Sequence, residues 1–570
     1  MSKVLVISYK NSTDTAEADI RKAFDTIAPE NIKNDIFIFQ PDVSTHTFVG
    51  VLNSETDIDR SATEIISGYV RPIDSKQKLN DGSYFQINWD LEKVKFNVDR
   101  FESKSLWFFQ DDEKFILSNS QLLISSLKEN FTINRNAVSW FLSAGSTGFQ
   151  NAWDCDVKKV VHSNEYIFSV ANWKLTVVKK EYAVEKINFS SKKEFLKKYV
   201  DLTKDVFINL AKNISVRKMV LPLSGGNDSR LLFYIAHQLK SYKELALANW
   251  GVKKENREFD DKEAAKKIVK FYNKSLKDYY LPHSIKDLNS FFDTYIKNGD
   301  CRIDHFNAYS DQFKIFEQLY SEDYKFIIRG DIPFTEGLDL NEKMSRAHIG
   351  IPKWTDFENY GSYVLDNFVS IQENDTPDIA RKENETLIEW RDRLYIDYRI
   401  PTVISSFDDL INSYLVTISP MMSYSHFLLY EQQNPNKRGD KAHISTLSQQ
   451  LDKSKISFNA LPSILSMEEL MTTKENIDYL KSYLIEMNNE IFSKEMIESV
   501  SKNLFYKPLQ NSNGKKTVKS LFIEYAKSSL PLQLKSFLKS KQKRDVSSLT
   551  LAYRMVMVDK VYKIFNQTAI

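Results

Sequence analysis

Two cysteines in 570 residues, Cys155 and Cys301, cannot form a disulfide framework or a CxxC metal site. Their scarcity excludes small secreted scaffolds and points to a reducing compartment, so the expected location is cytoplasmic. The eight histidines show no HxxxH or Cys/His pairing, and a zinc site is not expected. No run of about 18 apolar residues occurs, and neither a signal peptide nor a membrane span is predicted. An excess of one charge is missing as well. Lys and Arg number 78 against 76 Asp and Glu, a net charge of +2, so no global field draws the chain to nucleic acid. A 42% hydrophobic fraction with 13% aromatics excludes wholesale disorder and fills large cores. At roughly 150 residues per domain the length allows up to about four domains, or two larger ones.

Glycine is the most informative shortage, 15 of 570 residues where about 7% is usual. The glycines stand singly except at Gly225-Gly226.

Up to about residue 180 the sequence alternates short β-branched and aromatic segments with polar turns. Strands are predicted at residues 4–8, 36–39, 84–89, 94–98, 106–109, 115–118 and 165–170, giving an α+β or layered β-rich domain. The apolar spacing then changes to 3.6, which predicts a helix over 192–213. Strands at 218–223, 245–250, 278–281 and 325–328 alternate with helices at 229–239, 261–271 and 306–320. That order argues a parallel sheet covered on both faces. The stretch 386–570 reads as mostly helical and is expected to pack against that sheet. The boundary is expected near residues 180–195, with domains over 1–185 and 190–570.

The glycine pair sits in Ser224-Gly225-Gly226-Asn227-Asp228-Ser229, between a buried strand and a helix. Two glycines allow a tight turn that brings N–H groups to an anion, and the helix N-terminus adds its dipole. Ser224 and Ser229 can donate hydroxyls to phosphate, and Asp228 supplies the hard oxygen that magnesium takes. A capped strand-to-helix turn would also produce such a segment; the rarity of glycine elsewhere favours the phosphate reading. The lysine of GxxxxGK[ST] is missing.

SGGNDS after a buried strand resembles the SGGxDS pyrophosphatase loop of AMP-forming ligases such as asparagine synthetase and β-lactam synthetase. Further similarity follows in order through most of the chain. Residues 79–85 (LNDGSYF), Asp99-Arg100-Phe101, 106–109, 115–120 and 134–142 are similar to the glutaminase-like domain of that group. Residues 257–265 stand where the family has an acidic patch and a helix. Residues 325–337 (KFIIRGDIPFTEG) resemble its second phosphate-side segment, with Gly330-Asp331-Ile332-Pro333 closer to the β-lactam synthetase form. Residues 418–423, 438–441 and 453–456 resemble the strand end with a proline and the two downstream lysine segments.

The resemblance implies an Ntn-type α+β domain followed by an α/β ATP-pyrophosphatase synthetase domain. It implies ATP and Mg2+ as cofactors, a nucleotide cradle of Ser224, Gly225, Gly226, Asp228, Ser229 and Gly330, and magnesium held by Asp228 and Asp331. Lys455 would stabilise the oxyanion and acyl-phosphate, and Lys441 would be structural or steer phosphate. Two departures narrow the expectation. Position 2 is Ser2 where a working glutaminase has cysteine, so glutamine hydrolysis is not expected and the amine comes from the acceptor. Ile328 and Thr417 stand where β-lactam synthetases have a Tyr–Glu dyad, which argues against β-lactam closure.

The expected function is therefore an ATP-dependent amide ligase that adenylates a carboxylate and passes the acyl group to an amine. A natural-product, peptide-macrolactam or surface-sugar pathway would fit. A glutamine- or ammonia-dependent amidotransferase and a non-catalytic nucleotide-binding scaffold stay open. The partners implied are a small molecule or peptide bearing a carboxylate and an amine, no nucleic acid, and either a homodimer or a pathway partner protein. The basic run 535–544 reads as a solvated face or an electrostatic dock.

Overall fold

The computed structural model describes residues 3–11, 14–41, 46–53, 63–74, 79–180, 189–253, 261–334, 340–358, 366–375, 379–433, 441–456, 463–488, 490–506 and 545–568. Ser2, residues 257–260, 335–337 and 438–440, and the basic run 535–544 lie outside them.

The early strands are β1 (Lys3–Tyr9), β2 (Ile36–Phe39), β3 (Thr47–Leu52), β4 (Glu64–Asp74), β5 (Leu79–Trp89) and β6 (Lys93–Val98). They continue with β7 (Trp107–Gln110), β8 (Lys114–Ser118), β9 (Lys158–Lys159), β10 (Asn164–Ser169) and β11 (Lys174–Lys179). Among the described residues they form antiparallel sheets ordered β2-β3-β1-β8-β7-β9 and β11-β10-β6-β5-β4. The two-residue period of β1 explains the layering. Val4 and Val6 join Phe85, Phe96 and Phe168 between the sheets, while Leu5, Ile7 and Tyr9 face a helical layer. All seven residues of β1 are buried as a result.

The expected early strands are present, several of them longer, and β3, β4, β9 and β11 are additional. Gly68 and Pro72 in β4 read as strand breakers. Gly68 is tolerated because its left-handed backbone (φ 97°) comes so close to β5 that a Cβ would meet the Ser83 carbonyl oxygen.

The helix Lys192–Asn213 follows, capped by Ser191 on the Glu194 N–H. Beyond it lie β12 (Met219–Pro222), β13 (Ala246–Val252), β14 (Lys277–Leu281), β15 (Phe326–Ile328) and β16 (Val416–Ile418). These form a parallel sheet in the order β14-β13-β12-β15-β16. The molecule is thus mixed α/β, with antiparallel sheets, one parallel sheet and C-terminal helices. Among the described residues no helix is long and apolar enough to cross a membrane.

Three expectations are corrected. The predicted helix over 306–320 is a short 3-10 turn at Asn307–Tyr309 and a separate helix Lys314–Ser321. Gln312 and Phe313 adopt left-handed backbones between them, held by burial of Phe313 against Tyr309 and Tyr414. Second, β16 lies inside the stretch read as helical; with three residues its apolar run is too short to separate from a buried helix. Third, the helix Ser548–Thr568 packs away from the parallel sheet. Its Met555, Val556 and Phe565 join the core beneath β1, and Arg554 donates to the Leu142 and Ser143 carbonyls at 2.7 and 3.0 Å.

Arg554 also pairs with Asp304 at 2.8 Å. Burial raises the carboxyls of Asp304 and Glu102, yet Arg554 and His305 hold Asp304, and Lys159 and His162 hold Glu102, each at about 2. Their ordinary values are 3.8 and 4.5. A depressed carboxyl stabilises the fold above its unfolded value, and that contribution is lost as pH falls toward about 2. Urea midpoints should therefore fall steadily over this interval, and Asp304→Asn should flatten the fall. An unchanged slope in Asp304→Asn would exclude the pair as a source of acid sensitivity.

Candidate functional site

In the parallel sheet the chain proceeds from β12 outward to β13 and β14, then returns to the other side of β12 for β15 and β16. The order therefore reverses between β12 and β15. In open parallel sheets a ligand crevice forms outside the carboxyl ends of the strands at such a point. A cavity of about 390 Å3 lies there, lined by Ser224, Asp228 and Ser229 after β12 and by Arg329, Gly330 and Asp331 after β15. Gly226 completes the loop wall, and Trp250, Tyr309 and Phe407 give apolar surface.

The loop is tied by its own hydroxyls. Ser229 Oγ accepts from Ser224 N–H at 3.1 Å, and Ser224 Oγ accepts from Gly226 N–H at 3.1 Å. Gly225 N–H donates to an Asp261 carboxylate oxygen at 3.1 Å. The oxygens gathered on these N–H groups are of the kind that a phosphate presents. Gly226 is the N-cap of the helix Asn227–His237, which places Asp228 in the first turn at the positive end of the dipole.

Gly330 brings the second segment against this helix. A Cβ there would lie 3.1 Å from Asp228 Cβ and 3.4 Å from Ser229 N, tighter than side chains normally pack. Asp331 accepts from Ser419 Oγ at 3.0 Å and from Arg329 Nε at 2.9 Å. Arg329 also reaches Asp408 at 3.2 Å and lies over the Phe407 ring. Burial lowers the Arg329 guanidinium, but Asp331 and Asp408 together hold it above its usual value. Asp408 in turn binds Lys104 at 2.7 Å, and Lys104 donates to both oxygens of Thr417.

The structure brings Ser224, Gly226, Asp228, Ser229, Gly330 and Asp331 to one cavity, with Gly225 in the same loop. It does not bring Lys455 there by any described contact: that lysine is exposed, with a left-handed backbone (φ 52°). Lys441 instead lies 3.3 Å from Asp228. Arg329, Asp408, Lys104, Ser419 and Asp261 were not predicted. Arg329 carried a local signal as the neighbour of Gly330-Asp331, and Asp261 and Ser419 stand within the singled-out segments 257–265 and 418–423; Asp408 and Lys104 carried none.

Among the described residues no cluster of three or more His, Cys, Asp or Glu could hold a metal by itself. The all-oxygen character of Asp228 and Asp331 nevertheless fits Mg2+, which ordinarily takes one or two carboxylates and completes its shell with phosphate oxygens and water. No protein-family model matches the chain, and a search of curated proteins gives no significant match.

Proposed function

We propose that the chain is an ATP-dependent, magnesium-requiring amide ligase of the asparagine synthetase and β-lactam synthetase kind. It adenylates a carboxylate with release of pyrophosphate and passes the acyl group to an amine. The observation that carries this reading is the meeting of SGGNDS and RGDIP across the β12/β15 cavity, each contributing one carboxylate.

A carboxylate attacking the α-phosphorus of ATP expels pyrophosphate, whose growing charge has to be neutralised. Magnesium on Asp228 and Asp331 would supply that neutralisation when bound. The loop N–H groups and the Ser224 and Ser229 hydroxyls bind and orient phosphate oxygens. Lys441 beside Asp228 and Arg329 beside Asp331 add positive charge on either side. Ile328 is buried at the end of β15 and Thr417 in the middle of β16, and Thr417 is occupied by Lys104. Neither provides a base, which favours attack by an ordinary amine. The first half is read as one that does not hydrolyse glutamine, on Ser2 in place of cysteine.

Product analysis with candidate acids and amines tests the reading: AMP and pyrophosphate are expected, and ADP would overturn it. The two lysines separate the steps. Lys441→Ala should slow pyrophosphate release by about 10²–10³-fold, the range for losing one preorganised donor. Lys455→Ala should leave that step near wild type. Slower amide formation in Lys455→Ala alone would give Lys455 the oxyanion role that the resemblance implies; no change in either step would remove it from the chemistry.

A further inference from the structure

The β15 wall of the cavity is supported from the other half of the chain. Arg329 and Asp331 line the cavity, and Arg329 grips both carboxylate oxygens of Asp331, at 2.9 and 3.2 Å. Its third nitrogen reaches Asp408 at 3.2 Å. Behind Asp408 stands Lys104, from the segment between β6 and β7, at 2.7 Å. The Thr417 carbonyl, at 3.0 Å, and the Thr417 hydroxyl fix that ammonium at β16, the strand beside β15.

Stability alone gives no reason for the pair. Lys104 and Asp408 are almost wholly buried, and apolar side chains of similar volume would serve the fold about as well. Charge does give a reason. Arg329 brings one positive charge to two carboxylates, so without a second cation the group would be negative behind a wall that faces phosphate. Lys104 evens the balance, setting two cations against Asp408 and Asp331. The neighbouring acid does not draw Lys104 away, because Asp409 has Arg302. Across the cavity Asp228 has its own cation in Lys441. The Thr417 oxygens are neutral and leave the balance unchanged.

We infer that Lys104 is a positioning residue for the nucleotide: by neutralising Asp408 it keeps the Arg329 charge available to Asp331 and to phosphate in the cavity. The first half of the chain thereby serves the synthetase site through a lysine outside the cavity lining. The inference rests on the ligase reading, since it needs a nucleotide between β12 and β15.

The test is calorimetric titration of the full chain with α,β-methylene-ATP at saturating magnesium, a nucleotide that cannot be cleaved at the bond the reaction breaks. In Lys104→Met the uncompensated Asp408 charge should weaken binding about tenfold, as expected of one unit charge several ångströms behind the wall at an effective dielectric of about 20. In Asp408→Asn, which keeps an oxygen for Lys104, the surplus is positive and binding should tighten by a similar factor. Lys104→Met/Asp408→Leu restores the balance and should bind like the wild-type chain. A merely structural role would weaken both single variants and could not give them opposite signs. Weaker binding in both, or no change in Lys104→Met, would overturn the inference and leave the ligase reading standing. If circular dichroism shows that Lys104→Met does not fold, Asp408→Asn decides: tighter binding supports the inference, and unchanged or weaker binding overturns it. Failure of the wild-type chain to bind the nucleotide would overturn the ligase reading and the inference together.

Discussion

Asp228→Ala and Asp331→Ala should each abolish magnesium-dependent pyrophosphate release, by at least about 10²–10³-fold, while leaving the fold in place. Asp228 is in the first turn of its helix and a third exposed, and its removal frees Lys441 without creating a buried charge. Asp331 is more deeply committed, but Arg329 keeps Asp408 when Asp331 is lost. Circular dichroism should therefore be unchanged in both variants, and the loss should not be restored by excess nucleotide alone. Raised magnesium should recover part of the rate in Asp331→Asn, which keeps one oxygen donor, and none in Asp331→Ala. Undiminished release in both alanine variants would remove the metal site and, with it, the reason for reading the two loops as one catalytic centre.

A comparably large effect is expected on stability at Asp408. Its carboxylate is shared between Lys104 at 2.7 Å and Arg329 at 3.2 Å, and the Lys104 and Asp408 side chains are only 2% and 4% exposed. Asp408→Ala leaves a buried ammonium with the Thr417 oxygens alone, and removal of one partner from a buried pair typically costs about 3–5 kcal/mol. The double variant Lys104→Met/Asp408→Leu should recover most of that loss, because an intact buried pair is worth little more than an apolar replacement. Equilibrium urea unfolding of the two single variants and the double variant measures the coupling. A cost below about 1 kcal/mol in Asp408→Ala would mean that water reaches Lys104 and that the pair is not truly buried.

Asp408 also shows why part of the site was illegible in the sequence. SGGNDS announces itself, since two adjacent glycines in a glycine-poor chain stand between an apolar run and a helix. RGDIP is likewise local, and strand alternation reveals the parallel sheet except for β16. Lys104 and Asp408, however, are 304 positions apart, and nothing near either marks it as buried. Asp261 reaches Gly225 only because two neighbouring strands bring the helix start to the loop. The lysines illustrate the same limit. Lys441 and Lys455 sit in similar polar surroundings in the sequence, and the fold alone sets one beside Asp228 and the other in solvent. Local chemistry can thus be read from spacing, whereas the ion pairs that support it belong to the tertiary arrangement.

The helix Ser548–Thr568 has a consequence for how the polypeptide is made. Arg554 reaches the Leu142 carbonyl across 412 positions of sequence, and the helix covers apolar side chains beneath β1. At about 5–20 residues per second, translation separates the two segments by tens of seconds. Through that interval the β1 sheet has the helices Ala16–Ile27 and Gln121–Ser125, which are made with it and pack on its strands. The outer apolar sides of Gln121–Ser125 and Arg135–Ala144, on which the C-terminal helix packs, stay uncovered. They are shielded by transient local contacts or by chaperones until the distant helix arrives to close the core.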